Sequence, residues 1–376
     1  RTLADGSAQH DNNFNLIRLV AAWLVIYGHS WPVTASGGAD LLLQVVQIKF
    51  AGGIAVDMFF VISGFLIACS VERNPLPQYL AARALRIFPA LIVCVALSVF
   101  VLGPLLTTSP DYWSSAGTWK YLWKNITLPQ TQYFLPGVFE TLPSAAINGS
   151  LWSLPIEFKL YLLLALLAFA RLFRRGRFTV FCLVALVAAI VRYGGESLTP
   201  EKSNLLWCTA YFLTGSLAWH HRARIPLSWP LLAGLLVGAA ALRGGPYYFI
   251  AYFVALSYTT LFLAYVPKLP AIRRHDISYG VYLYGWPSQQ LVQQFSPGSA
   301  LHNTLWATLL AGTLAALSWR LVEEPALRLK QGFGARPGKR TPRTTPEPAP
   351  EPAAAPASPP PAGIAIGKFH GGVTTV

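Results

Sequence analysis

The chain has 376 residues, 54% of them apolar and only 12% charged, with a formal net charge of +14 and a mean hydropathy of +0.45. That balance is too apolar for an ordinary soluble domain. The excess of basic residues raises nucleic acid as a partner, but the placement of the charges along the chain argues against it.

Crossing a bilayer as a helix takes about 20 apolar residues. Stretches of that kind recur at about 16–35, 53–72, 85–106, 151–171, 178–194, 204–221, 226–243, 247–266, 277–295 and 303–322. None shows the period-two alternation of a membrane β-barrel. The sequence therefore predicts an all-α, polytopic membrane bundle of about ten transmembrane helices. With the N-terminus inside, 22 Lys and Arg fall on inner segments and six on outer ones, Lys159 being intramembrane. This alternation follows the positive-inside rule and places both termini in the cytoplasm. It accounts for the basicity without nucleic acid. The expected organisation is an N-terminal cytoplasmic segment (1–13), a transmembrane domain (14–330) and a Pro-rich, disordered cytoplasmic tail (331–376). The first apolar stretch lacks a small-residue cleavage site and reads as an uncleaved anchor.

The first span carries Arg18 near its inner end and His29 eleven residues later, roughly 16 Å along the helix. Ionisable groups at such depth are costly and mark function by default. The second span, "GGIAVDMFFVISGFLIA", holds Asp57 towards its outer end, with Ser63 and Gly64 at mid-depth. The third enters from inside through "YLAARALRIFPAL", which sets Arg83 and Arg86 beside Arg18. The connection at 107–150 is rich in Trp113, Trp119, Trp123, Tyr112, Tyr121 and Tyr133. It fits either an interfacial aromatic belt or a platform for a sugar-like acceptor. The fourth span opens with "GSLWSLPIEFKLYLL" and puts Glu157 in the outer half with His29 and Asp57, whereas Lys159 points to another face. Cys69, Cys94, Cys182 and Cys208 all lie within spans without metal-ligand spacing, so no metal site is expected. His220 and His221 lie in the basic "HHRAR" loop, His275 in "RRHD", His302 outside, and His10 and His370 in the tails.

These groups make a two-ended site. Arginines suit phosphate through planar, bidentate hydrogen bonding. A neutral imidazole can take a proton from a hydroxyl, and a carboxylate can fix its tautomer. Taken singly, Arg18 and Arg83 also fit snorkelling topology anchors. Asp57 also fits an interface carboxylate, and His29 a ring bonded to a backbone carbonyl of a neighbouring helix. "ISGF" reads as a close-packing point and not a nucleophile site.

The chain resembles the membrane-bound acyltransferase-3 family of carbohydrate O-acyltransferases over about 14–328. The resemblance rests on Arg18 and His29 with ten residues between them, "VDMFFVISGFLI" (56–67), "RALR" (83–86), "SLWSLPIEFKLY" (150–161), "ISYGVYLYGWP" (277–287) and "LVEEP" (321–325). It implies an essential catalytic role for His29 and an acyl-CoA role for Arg83 and Arg86. Many relatives carry a His where this chain has Gly285, so a second-histidine role is vacant here.

The expected function is an acyl-CoA-dependent O-acetyltransferase of the inner membrane, acting on a surface or exported carbohydrate or a lipid-linked saccharide. Its expected catalytic residues are His29, Glu157 and Asp57, with Arg18, Arg83 and Arg86 holding the acyl-CoA. Acetyl-CoA is then a substrate, and no cofactor is permanently bound. Direct transfer and an acyl-enzyme on His29 are both compatible with these residues. The rival expectation is a sugar or glycolipid transporter that uses the intramembrane His and carboxylates as a proton relay.

Overall fold

A computed structural model of the chain describes residues 1–8, 12–193, 200–270, 272 and 275–333. The Pro-rich segment from 334 onward, Arg273, Arg274, His10 and His370 lie outside the described residues. A short helix α1 (Leu3–Ala8) precedes α2 (Phe14–Thr34), α3 (Leu41–Val46), α4 (Ala51–Arg73) and α5 (Leu76–Leu97). Helix α5 runs through a π-helical turn (Ser98–Leu102) into α6 (Gly103–Leu106), and α7 (Ala116–Thr127) follows. A 3-10 turn (Gly149–Trp152) opens α8 (Ser153–Phe169), followed by α9 (Arg175–Tyr193), α10 (Pro200–His220), α11 (Trp229–Ala241) and α12 (Tyr248–Tyr265). Last come α13 (Ser278–Phe295), α14 (Ala300–Ser318), a second π-helical turn (Trp319–Glu323) and α15 (Glu324–Phe333).

Helices occupy all ten expected apolar stretches, but they are not equivalent. Among the described residues, six helical runs are long and apolar enough to cross a membrane: Phe14–Thr34, Ala51–Arg73, Leu76–Leu106, Gly149–Phe169, Tyr248–Tyr265 and Ala300–Leu329. The apolar parts of α9 and α11 are shorter. The 13 residues of α11 extend only about 20 Å. Helix α13 departs for a different reason, because it is enclosed by protein and uses its polar side chains there. Gln289 Nε2 donates to the Ile26 carbonyl at 2.8 Å, Gln290 Nε2 to the Ser144 carbonyl at 2.6 Å, and Trp286 Nε1 to the Ala146 carbonyl at 2.9 Å. A buried amide must be satisfied internally, which makes α13 polar without making it exposed. Lipid-type surface lies elsewhere: Val180, Leu183, Val184 and Val187 on α9, and Leu301, Leu305 and Leu309 on α14, are exposed. The protein is a multi-pass helical membrane bundle.

Helix α4 is its axis. It packs on α2 along one side and on α10 along the other, and its residues are buried nearly all round, as an apolar helix without a polar face requires. The crossing with α10 depends on Gly64 and Gly215. A Cβ at Gly64 would stand 1.9 Å from the Phe212 carbonyl oxygen, and one at Gly215 2.1 Å from that of Val61. Ser216 Oγ closes the contact by donating to the Gly64 carbonyl at 3.0 Å. Small residues that let two backbones touch are a membrane packing device, so "ISGF" is a packing point.

In the 107–150 connection, Tyr112 and Tyr121 are buried, and the Tyr112 hydroxyl donates to the Val99 carbonyl at 2.8 Å. Trp113, Trp119 and Trp123 are exposed, and Trp113 stacks beside the exposed Phe100 of the neighbouring span. The arrangement is that of an interfacial belt.

Gly64→Ala is expected to lower the melting temperature of the purified protein in detergent, with a loss of about 1–3 kcal/mol for a methyl forced into a filled contact. Gly234→Ala on α11, where a Cβ meets nothing within 4 Å, is the matched control. It should be neutral or stabilise by up to about 1 kcal/mol.

Candidate active site

The six residues singled out from the sequence fall into two cavities. Arg18, Arg83, Arg86 and Glu157 line one of about 420 Å³, together with Ser63, Tyr161, Asp276 and Trp319. His29 and Asp57 line another of about 410 Å³, with Lys49, Trp152, Asn204 and Trp207. Val56 of α4 lines both. Glu157 therefore belongs with the arginines and not, as the sequence led us to expect, with His29 and Asp57. Position along a helix can be read from sequence, but helix rotation cannot, and α8 turns Glu157 towards Ser63 of α4.

The three arginines are not equivalent. Arg86 Nη2 donates to Asp276 Oδ2 at 2.7 Å, and its Nη1 lies 3.6 Å from Glu323 Oε2. Arg18 Nη1 lies 3.7 Å from the same Asp276 oxygen. Asp276 stands just before α13, where its Oδ1 also accepts from the Ser278 hydroxyl at 2.5 Å and backbone N–H at 3.3 Å. Burial pushes the Asp276 carboxyl up, but Arg86 and Arg18 outweigh this and hold it below its usual range. Glu323 is brought inward by the second π-helical turn, where Ser318 Oγ donates to it at 3.2 Å. Such turns recur at functional sites. Arg83 forms no ion pair among the described residues, and its Nε is buried without a hydrogen-bond partner. Among the described residues it is the arginine of this cavity without an ion-pair partner.

Glu157 accepts hydrogen bonds at Oε1 from Ser63 Oγ at 2.8 Å and from the Tyr161 hydroxyl one turn further along α8. Lys159 is exposed on the opposite side of the helix. Ser63 is thus committed to a carboxylate.

In the second cavity, the His29 ring stands between Phe50 and Trp286, each in edge contact with centroids 5.0 Å away. Its Nδ1 is 2.7 Å from the Val25 carbonyl, one turn back on its own helix. A carbonyl only accepts, so Nδ1 carries the proton and Nε2 of the neutral ring keeps a free lone pair. The sequence led us to expect Asp57 or Glu157 in this orienting role, but the backbone does it. Asp57 is instead gripped by Lys49, whose Nζ donates to both carboxylate oxygens at 2.7 and 2.8 Å. Gly285 packs against α2, and a Cβ there would meet Ile26 Cγ1 at 2.9 Å.

Four residues escaped the sequence reading. Tyr161 carried a signal, since it sits four residues after Glu157 on one helix face. Glu323 lay unsingled within "LVEEP". Lys49 counted only as an outer-loop cation, and Asp276 only as a neighbour of His275.

Removing one partner of a buried ion pair costs about 3–5 kcal/mol, whereas removing both is near neutral. Arg86→Gln should therefore destabilise the protein strongly, and the double variant with Asp276→Asn should cost less than the two singles summed without returning to native, since Glu323 and Arg18 stay unpaired. Melting temperatures of the two singles and the double give the coupling. The Asp276 contribution, belonging to a carboxyl with a lowered pKa, is fully present above the ordinary carboxylate range. It fades as pH falls below that range and through the lower pKa of the folded carboxyl, and Asp276→Asn should flatten this acid limb.

A family profile described as an acyltransferase domain matches residues 11–322. An O-acetyl transferase of Shigella phage Sf6 is 31% identical over 330 residues, covering 83% of this chain and 95% of the relative. Nodulation protein 10 of Rhizobium leguminosarum bv. viciae is 31% identical over 378 residues, covering 88% of this chain and 97% of that relative. No solved structure is significantly similar. With a profile match over residues 11–322 and two relatives matched over most of both chains, the chain belongs to the acyltransferase-3 family.

Proposed function

We propose that the protein transfers an acyl group, acetyl foremost, from cytoplasmic acyl-CoA to a hydroxyl of a surface or exported carbohydrate, working in the inner membrane. The observation that carries the reading is the pair of cavities separated at Val56. One offers an unpaired guanidinium, the other an imidazole with a free nitrogen lone pair. Arg83 would meet a donor phosphate, because Arg86 and Arg18 are already held by Asp276. The thioester arm would then run past Glu157, Ser63 and Tyr161 towards His29. The name of the phage relative, O-acetyl transferase, supports acetyl as the group moved.

In this mechanism the acceptor hydroxyl gives its proton to His29 Nε2 as its oxygen attacks the thioester carbonyl carbon. The carbon–sulfur bond breaks, the CoA sulfur takes the electron pair, and the proton held by His29 passes to it or to water. The Val25 carbonyl keeps Nδ1–H in place and stabilises the imidazolium formed in between. Glu157 acts as a positioning residue by holding the Tyr161 and Ser63 hydroxyls on the path of the arm.

The test follows label from acetyl-CoA into the host polysaccharide in membranes carrying equal amounts of each variant. His29→Ala should lower transfer by about 10²–10⁴-fold, the usual contribution of a general base. Unchanged transfer would make His29 a packing residue. Arg83→Gln should remove most of the thermal stabilisation given by CoA while leaving the melting temperature of the unliganded protein near native. Val56→Phe, which enlarges the side chain lining both cavities, should keep the CoA-induced shift yet lower transfer at least tenfold.

A further inference from the structure

Apart from His29, the donor chemistry leaves the second cavity unused, and its lining has a composition of its own. Charge comes first. Lys49 and Asp57 are paired through both carboxylate oxygens, so the lining offers no unopposed charge. Lys49 Nζ also lies 5.9 Å from the Trp207 ring centroid, a cation–aromatic contact that fixes both side chains. Trp207 is further set by Phe249, whose ring centroid is 4.0 Å away. Trp207 and Trp152 are both half-buried and line the cavity. Asn204, one turn before Trp207 on α10, lines it too and forms no hydrogen bond among the described residues.

A pyranose ring has apolar C–H faces and a rim of hydroxyls that both donate and accept. Indole faces match the first, and a free amide, which also donates and accepts, matches the second. The Asp57 carboxylate has lone pairs beyond those Lys49 occupies. A concave site with aromatic walls and a few fixed polar groups is the usual form of a small-ligand pocket. The aromatic residues of the 107–150 connection do not serve here, since none of them lines either cavity.

We infer that this cavity is the acceptor subsite and takes one uncharged sugar unit. Trp207 and Trp152 lie against its C–H faces, and Asn204 and Asp57 hold hydroxyls next to the one that faces His29. The inference rests on the acyl-transfer reading above. An acidic sugar is excluded by cost, because its carboxylate would have to draw Lys49 from Asp57 and leave a buried carboxylate unpaired.

The experiment measures acetyl transfer from acetyl-CoA to purified host polysaccharide by the full chain in detergent. Donor and acceptor KM are determined separately for the native protein, Trp207→Ala, Trp207→Phe and Asn204→Leu. Trp207→Ala and Asn204→Leu should each raise the acceptor KM about tenfold, the loss of one good contact, with donor KM and the CoA-induced thermal shift unchanged. Trp207→Phe, which keeps an aromatic face and guards against a folding defect, should stay within about threefold of native. Acceptor KM at saturating donor should not change with ionic strength, since no net charge is matched. An unchanged acceptor KM in both Trp207→Ala and Asn204→Leu, with a native protein that transfers label, would overturn the subsite alone. A steep rise of acceptor KM with salt would overturn the uncharged class. No transfer by the native chain would overturn the acyl-transfer reading, and the subsite with it.

Discussion

A charge inside an apolar bundle has to be neutralised where it stands, because neither lipid nor packed side chains can solvate it. This requirement organises the interior of the molecule. Arg86 and Arg18 share Asp276, Glu323 adds to Arg86, and Lys49 closes on both oxygens of Asp57. Once these pairs are formed, little reactive capacity is left over, and what is left is well separated. Arg83 keeps a guanidinium without an ion-pair partner among the described residues, and His29 keeps the lone pair on Nε2. The pairing does not add much net stability, since an ion pair removed from water roughly breaks even against apolar packing. Its effect is on position. Asp276 is tied to the start of α13 through Ser278, so the arginines of α2 and α5 are referred to a third helix.

The second constraint is the tightness of α4 against its neighbours. The glycine contact with α10 at Gly64 and Gly215 holds α4 in the middle of the bundle. There the arginine cavity and the histidine cavity share its Val56 in their linings. A group-transfer protein that draws its donor from one side of a membrane and its acceptor from the other needs this geometry. The two substrates must come within bonding distance without opening a leak. Family membership is shown by the comparisons with known proteins, whereas the donor, the acceptor and the proton route are proposals that the two cavities support.

Much of this was legible in the sequence, and the division has a physical basis. Apolar stretches of spanning length determine helices, since a backbone in lipid must satisfy its own hydrogen bonds. Helices accordingly stand at all ten expected places. Spacing along one helix is also local, so Arg18 and His29 on α2, and Arg83 and Arg86 on α5, were placed at their ends of the bundle before any tertiary contact was known. Which side of each helix faces inward is not local. Rotation and tilt follow from packing at contacts such as Gly64 with Phe212, and no stretch of a few residues encodes them. Glu157, expected beside His29 and Asp57, therefore lines the arginine cavity instead. The ion pair between Arg86 and Asp276 joins residues 190 apart in the chain, and Lys49 becomes a partner of Asp57 only because the chain folds back at the start of α4. The sequence by itself determined the membrane, the helices and the residue types available for chemistry. Only the tertiary structure decided which charges cancel, which nitrogen of His29 is free, and that the site is two cavities with Val56 between them.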